Sequence, residues 1–275
     1  MIILLAGLAD HLISQLASAY STSSIKRKNL YLSAMARYFL ELSYKGTNYS
    51  GFQSQINANT VQAEVEKAFE ILQKDKVEMF SSSRTDTGVH ALQNYFHFDF
   101  EGEVHSQFVY KMNAILPSDI VIKKIEKMAE GSHARFDAIS REYKYYIYGR
   151  KDPFLEDRAY YFPYKLDVEI MNKAAESLMM YDDFTSFSKR KTQVKTFICK
   201  LTDSRWEREG EMLVYKVKGN RFLRGMVRGL VGTMLKLGRG KMTLEEFHDI
   251  VKAKDCTRAS FSVPGKGLFL VRVQF

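Results

Sequence analysis

At 275 residues and 45% hydrophobic content, the chain can bury one large core or two modest ones, which excludes an intrinsically disordered protein. Lys and Arg total 41 against 32 Asp and Glu, a formal charge of +9 with a pI near 9.3, which suits an anionic partner without naming it. Cys199 and Cys256 lie far apart, the six histidines lack paired ligand spacing, and no run of about 18 apolar residues exists, so a disulfide framework, a metal, a cofactor and a membrane span are not expected.

Residues 1–19 are apolar and end in Ala17-Ser18-Ala19, but the start carries no positive charge and Asp10-His11 interrupts the run. Export is therefore not expected, and the default location is cytoplasmic. The stretch 20–28 is Ser-rich without periodicity and reads as a disordered joint, so 1–34 form an N-terminal extension without functional weight. Ordered sequence begins at a strand over 36–44. A helix follows, opened by Asn59 with Gln62 as a capping pattern and carrying Val61, Val65, Ala68, Phe69 and Leu72 at helical spacing. Strands are predicted over 76–83 and 95–100, the latter with Phe96, Phe98 and Phe100 on one side. A second cycle has a helix over 108–115 ended by Leu116-Pro117, strands over 120–128 and 140–149, and a helix over 167–180. Strands over 195–206 and 212–218, helices over 222–237 and 244–253 (capping box Thr243 to Glu246) and a closing strand to Phe275 complete the chain. The class is α+β, in two strand-and-helix halves over 35–138 and 139–275.

The basic excess is concentrated, because Ser186 to Lys241 holds 15 Lys and Arg against four Asp and Glu. Such a stretch fits a surface that tracks phosphates, although a solvated charged face is the commoner explanation.

Three groups of residues carry chemistry. Ser83-Arg84-Thr85-Asp86-Thr87-Gly88-Val89-His90-Ala91 follows a predicted strand, and its glycine can relax a tight turn that presents Asp86 at the strand end. A carboxylate there, beside Arg84 and turn amides, is available as nucleophile or base; a surface Asx turn with a local ion pair is the plain alternative. On a helix over 222–237, Arg221, Arg224 and Arg228 fall within about 60° of one another at 100° per residue. Gly225, Gly229 and Gly232 flank that stripe, so another backbone can approach and a buried carboxylate can reach an arginine fork. Arg221 and Arg224 suit water or phosphate better than Arg228 does. In Arg141-Glu142-Tyr143-Lys144-Tyr145, alternation places Tyr143, Tyr145 and Ile147 on one face, able to stack an unpaired base or simply to fill a core.

From Met35 to Phe275 the sequence resembles the TruA family of tRNA pseudouridine synthases. Its G-R-T-D-x-G-V-H-A signature stands here as residues 83–91, with Ser83 where glycine is usual and Thr87 where alanine is frequent. Tyr44-Lys45-Gly46-Thr47 with Gly51-Phe52-Gln53, Asn113 with Leu116-Pro117-Ser118-Asp119-Ile120, and His133-Ala134-Arg135-Phe136-Asp137-Ala138 follow in order. So do Asp183-Phe184-Thr185-Ser186-Phe187 and Gly219-Asn220-Arg221-Phe222-Leu223-Arg224-Gly225-Met226-Val227-Arg228. The resemblance implies a pseudouridine synthase fold, with mostly antiparallel sheets of two α/β halves meeting at a central basic cleft. It further implies a homodimer, no cofactor, and action on uridines 38, 39 and 40 in the tRNA anticodon stem-loop. It carries the catalytic role to Asp86, with Tyr143 as aromatic partner and Arg228 as ion-pairing arginine. Arg84, His90, Tyr145, Lys189, Arg190, Arg221, Arg224 and Arg239 make up the expected substrate-binding set, Arg84 filling the space of a flipped nucleotide. Two other classes compete: a catalytically silent RNA-binding protein, which leaves the Asp86 segment unexplained, and a DNA-binding protein or nuclease, which calls for clustered metal-binding carboxylates that the sequence lacks.

Overall fold

The computed structural model describes residues 35–102, 104–190, 192 and 194–275; the expectations for 1–34 lie outside them. Among the described residues the elements run β1 Met35–Tyr44, α1 Val61–Gln73, β2 Phe80–Ser81, β3 His90–Glu101, α2 Phe108–Ile115, β4 Ile120–Lys127, β5 Ser140–Tyr148, β6 Tyr160–Tyr161, α3 Val168–Ser177, β7 Leu201–Glu209, β8 Met212–Gly219, α4 Met226–Gly238, α5 Leu244–Lys252 and β9 Leu268–Gln274.

Period-two alternation builds the sheet. Ala36, Tyr38, Leu40, Leu42 and Tyr44 of β1 are buried, and antiparallel pairing to β3 sets Leu40 opposite Phe96 and Tyr38 opposite Phe98. Val65, Ala68 and Phe69 of α1 close this side, Phe69 meeting Phe98, Phe100 and Phe108 edge-on. Each such Phe or Leu taken out of water contributes roughly 2–3 kcal/mol.

The strand order is β4-β1-β3-β9-β5-β8-β7, with β2 on β3 and β6 on β5. The two expected halves are thus the two sides of one sheet, antiparallel along this path except at the seam. There β3 and β9 run parallel through only two residue pairs, His90 with Phe269 and Ala91 with Leu270. Parallel strands start from the same end of a sheet, so the loops entering β3 and β9 are brought side by side. Those loops are 82–89 and 260–267, and the site is built there.

Several predicted boundaries move. The helix expected from 222 begins at Met226, because Gly225 takes a left-handed φ of 75° as its N-cap. Arg221 and Arg224 therefore precede the helix, and the three-arginine stripe does not form. Helix α4 is buried on nearly every side, and its glycines do admit close neighbours: a Cβ on Gly232 would lie 2.2 Å from the Ser260 carbonyl oxygen. The cap of α1 is Thr60, whose hydroxyl accepts from Ala63 N, rather than Asn59. Of 76–83 only Phe80–Ser81 pairs as a strand. Residues 195–200 stay outside the sheet, held instead by Cys199 N donating to Asp182 O and by a lone bridge between Asp183 and Ile198. The capping box at Thr243 and Glu246 forms as expected.

Part of the basic segment is neutralised on the strands. Lys216 pairs with Glu207 and Glu209, Lys144 with Glu209, and Arg205 with Asp203 and Glu207. Those cations answer to neighbouring carboxylates, whereas Lys189 and Arg228 lie at the seam.

Candidate active site

Asp86 stands on a turn closed by Val89 N donating to the Asp86 carbonyl at 3.1 Å. Gly88 occupies the third position with φ 74°, where a side chain would be strained. The turn is fixed from beneath by a buried polar chain. Asn94 Nδ2 donates to Ser83 O at 2.9 Å and to the Tyr44 hydroxyl at 3.3 Å. The Tyr44 hydroxyl is also hydrogen-bonded with Thr85 Oγ1, 2.7 Å away. Phe52 N donates to Thr85 O at 3.1 Å from the other side. Every link is buried and hydrogen-bonded, so the backbone on either side of Asp86 has little freedom.

Two cations face the Asp86 carboxylate. Arg228, in the first turn of α4, directs Nη1 to Oδ2 at 3.3 Å while its Nε donates to Val263 O at 2.9 Å. The guanidinium is thereby clamped between the two loops of the seam, as the expected carboxylate–arginine pairing requires. Lys189 Nζ lies 3.9 Å from the same oxygen. Its side chain is 36% exposed against 17% for Arg228, so its contact is worth about 1 kcal/mol or less, whereas the arginine is held by geometry as well as charge.

Tyr143, on β5 and only 9% exposed, has Phe222 packed edge-on at 5.0 Å. Burial is the main reason its phenol pKa is pushed up to about 12; the Asp86 charge adds to that, while Arg141 and the Ser83 hydroxyl oppose it. The ring is therefore a neutral, protonated wall at physiological pH.

The other expected residues divide. Arg84 and Arg221 come together with Arg135, whose pKa is lowered by burial and then by those two positive neighbours. Arg135 carries no role that its sequence context alone assigns; the signal that marks it is the His133-Ala134-Arg135-Phe136 run. Arg141 organises this cluster without joining it: its buried guanidinium donates to the carbonyls of Ala138, Asn220 and Arg135. Arg190 and Arg224 are exposed, and the Arg224 carbonyl accepts from Lys189 N at 3.0 Å.

Three candidates are placed elsewhere. His90 is buried, with Nδ1 accepting from Gly46 N at 3.1 Å, so its Nε2 proton goes to Lys266 O at 3.1 Å. Burial lowers its pKa, and both nitrogens are used in pinning the seam. Tyr145 is fully buried and its hydroxyl donates to Pro264 O at 2.8 Å, steadying the loop that holds Arg228. Arg239 lies at the far end of α4, roughly 16 Å along the axis from Arg228, stacked 3.8 Å over the Tyr164 ring. Among the described residues no group of three His, Cys, Asp or Glu could hold a metal ion, and no helix is long and apolar enough to cross a membrane.

The carboxylate–arginine pair sits on a mixed α/β architecture with a large, mostly antiparallel sheet, which is consistent with the pseudouridine synthase fold, and a tRNA pseudouridine synthase family model matches residues 174–275. Similarity extends over most of the chain in curated proteins named tRNA pseudouridine synthase A. The protein from Parabacteroides distasonis is 46% identical over 244 residues, covering 88% of this chain and 96% of that one. That from Bacteroides thetaiotaomicron is 44% identical over 245 residues (88% and 91%), and that from Bacillus subtilis 39% over 239 residues (85% and 97%). The chain belongs to the tRNA pseudouridine synthase A family, whose members are isomerases.

Proposed function

We propose that this protein isomerises uridine to pseudouridine in tRNA, at positions 38, 39 and 40 of the anticodon stem-loop, with Asp86 as the catalytic carboxylate. The observation that carries the reading is the Asp86 carboxylate held against Arg228, with Tyr143 close enough to feel its charge and Arg84, Arg135 and Arg221 clustered nearby. The reaction breaks the bond from ribose C1′ to N1, turns the uracil, joins C5 to C1′, and moves one proton from C5 to the ring nitrogen. It needs no redox step. Asp86 supplies negative charge or a nucleophilic oxygen at the glycosidic bond, and Tyr143 retains the freed base. Tyr143 or a neighbouring group assists removal of the C5 proton.

A uridine in a stem must be everted, at a cost of about a few kcal/mol for unstacking. Arg84 fills the vacated stack, and Arg190, Arg221 and Arg224 neutralise phosphates around it, so shape rather than base sequence directs the choice of site. A cytoplasmic homodimer presenting two such clefts fits this reading. In the test, Asp86→Ala binds an anticodon-arm transcript with near wild-type affinity but releases no tritium from C5-labelled uridine; undiminished release would remove the assignment. Transcripts bearing a single uridine at 38, 39 or 40 then report the positional range by pseudouridine mapping.

A further inference from the structure

We propose that Lys189 is an exchangeable counter-ion of Asp86: when RNA enters, its ammonium turns from the carboxylate into the neighbouring recess and there, with Arg190 and Lys254, holds the phosphodiester beside the target nucleotide. The inference rests on the reading of Asp86 as the carboxylate that acts on uridine.

The two cations on Asp86 Oδ2 are held in different ways. Arg228 is locked by its second contact to Val263 O and grows from a helix buried on nearly all sides. Lys189 makes the longer contact, at 3.9 Å, and is more exposed. Its stem lies across Gly225, where a Cβ would stand 3.0 to 3.3 Å from Cγ, Cδ and Cε. The bare glycine gives the four-carbon stem a smooth surface to swing over. Its backbone is tied to Arg224 O, so the side chain can turn while the main chain stays in place.

Lys189 also borders a recess of about 260 Å³ whose walls include Thr185, Arg190, Lys254 and Asp255. The adverse carboxylate there is already occupied, because Asp255 accepts from Thr257 N and from the Thr257 hydroxyl. Lys254 is partly neutralised by Asp183 at 2.9 Å. Arrival of the Lys189 ammonium therefore supplies the extra positive charge that a phosphate in the recess requires. Its departure leaves Asp86 with one cation in place of two, which leaves more of the carboxylate's negative charge for the sugar or base while Arg228 keeps the carboxylate oriented. A phosphodiester, carrying a full charge and two free oxygens, is a competent rival for a contact as loose as this one.

The test is a thermodynamic cycle between Lys189→Met and single neutral methylphosphonates walked along the backbone around the target uridine of an anticodon-arm RNA. The expected result is that Lys189→Met raises KM, the loss falling there rather than on kcat. One methylphosphonate position lowers wild-type kcat/KM by about fivefold or more, yet has no further effect in the variant. Lys189→Arg retains the coupling. Strictly additive losses at every phosphate, or a fall in kcat with KM unchanged, would mark Lys189 as a fixed counter-ion and overturn the proposal. Thermal unfolding of each variant, with Lys189→Gln as a second substitution, separates these outcomes from a folding defect. Failure of the wild-type protein to form pseudouridine in the same RNA would instead sink the functional reading.

Discussion

The Asp86 carboxylate stands at the seam because its neighbours in sequence are held before its own charge is considered: Thr85 from below by Tyr44, Ser83 by Asn94, and the turn itself by Gly88. Histidines show how far residue type alone falls short of role. His90 and His97 belong to one strand and both are buried, yet His90 ties two loops together through both nitrogens while His97 packs flat on Phe80 and against His133. Burial, then the positive charges of His133 and Arg37, push the His97 pKa down to about 4. The folded protein thus keeps this ring neutral, whereas the unfolded chain takes up the proton near 6.5. Between those values the unfolded state binds more protons, so stability falls as pH falls through the window and levels off below it. The contribution is at most about 3 kcal/mol. Urea unfolding at about pH 7 and about pH 4.5 is expected to show a smaller acid loss in His97→Phe than in wild type; parallel losses would contradict it.

Among the elements, β9 and α4 matter most, since one brings the loop 260–267 beside the Asp86 turn and the other delivers Arg228 to it. The approach is close enough that a Cβ on Gly265 would lie 2.3 Å from the Thr87 carbonyl oxygen. Gly265→Ala must push the Asp86 turn away from Arg228. Turnover is expected to fall by about 10- to 100-fold, since misplacement by an ångström is costly to chemistry. Equal activity in wild type and Gly265→Ala, compared by tritium release, would show that the turn tolerates the shift. Helix α4 also marks the limit of periodicity. Arg221, Arg224 and Arg228 satisfy a helical spacing on paper, but a glycine in a left-handed conformation at 225 breaks the count, and only Arg228 rides the helix.

For the molecule as a whole, net charge overstates the surface offered to a polyanion. Lys144, Arg205 and Lys216 are matched by acids across β5, β7 and β8, while Arg84 and Arg221 add their positive charge to that of Arg135, whose pKa burial and those two neighbours lower. Arg221→Ala is accordingly expected to weaken tRNA binding and to lower the slope of log affinity against log salt by about one. An unchanged slope in binding titrations across salt would remove Arg221 from the phosphate-contacting surface. Lys216→Ala serves as the comparison, with its slope expected to remain that of wild type.

Residue order alone determined the alternating strands, the capped helix at Thr243 and the aromatic row Phe96, Phe98 and Phe100. These depend on local periodicity; the pairing of Asp86 with Arg228 is expected only through the resemblance to a known family. Only the tertiary structure decided that the two halves share a sheet, that His90 and Tyr145 face inward to brace the seam, and that Lys189 reaches the carboxylate. Each of those depends on two parallel strands meeting over two residue pairs, with 178 positions between His90 and its partner Phe269. A contact between residues so distant in the chain leaves no period in the sequence, because what selects it is the shape left between elements once they have packed.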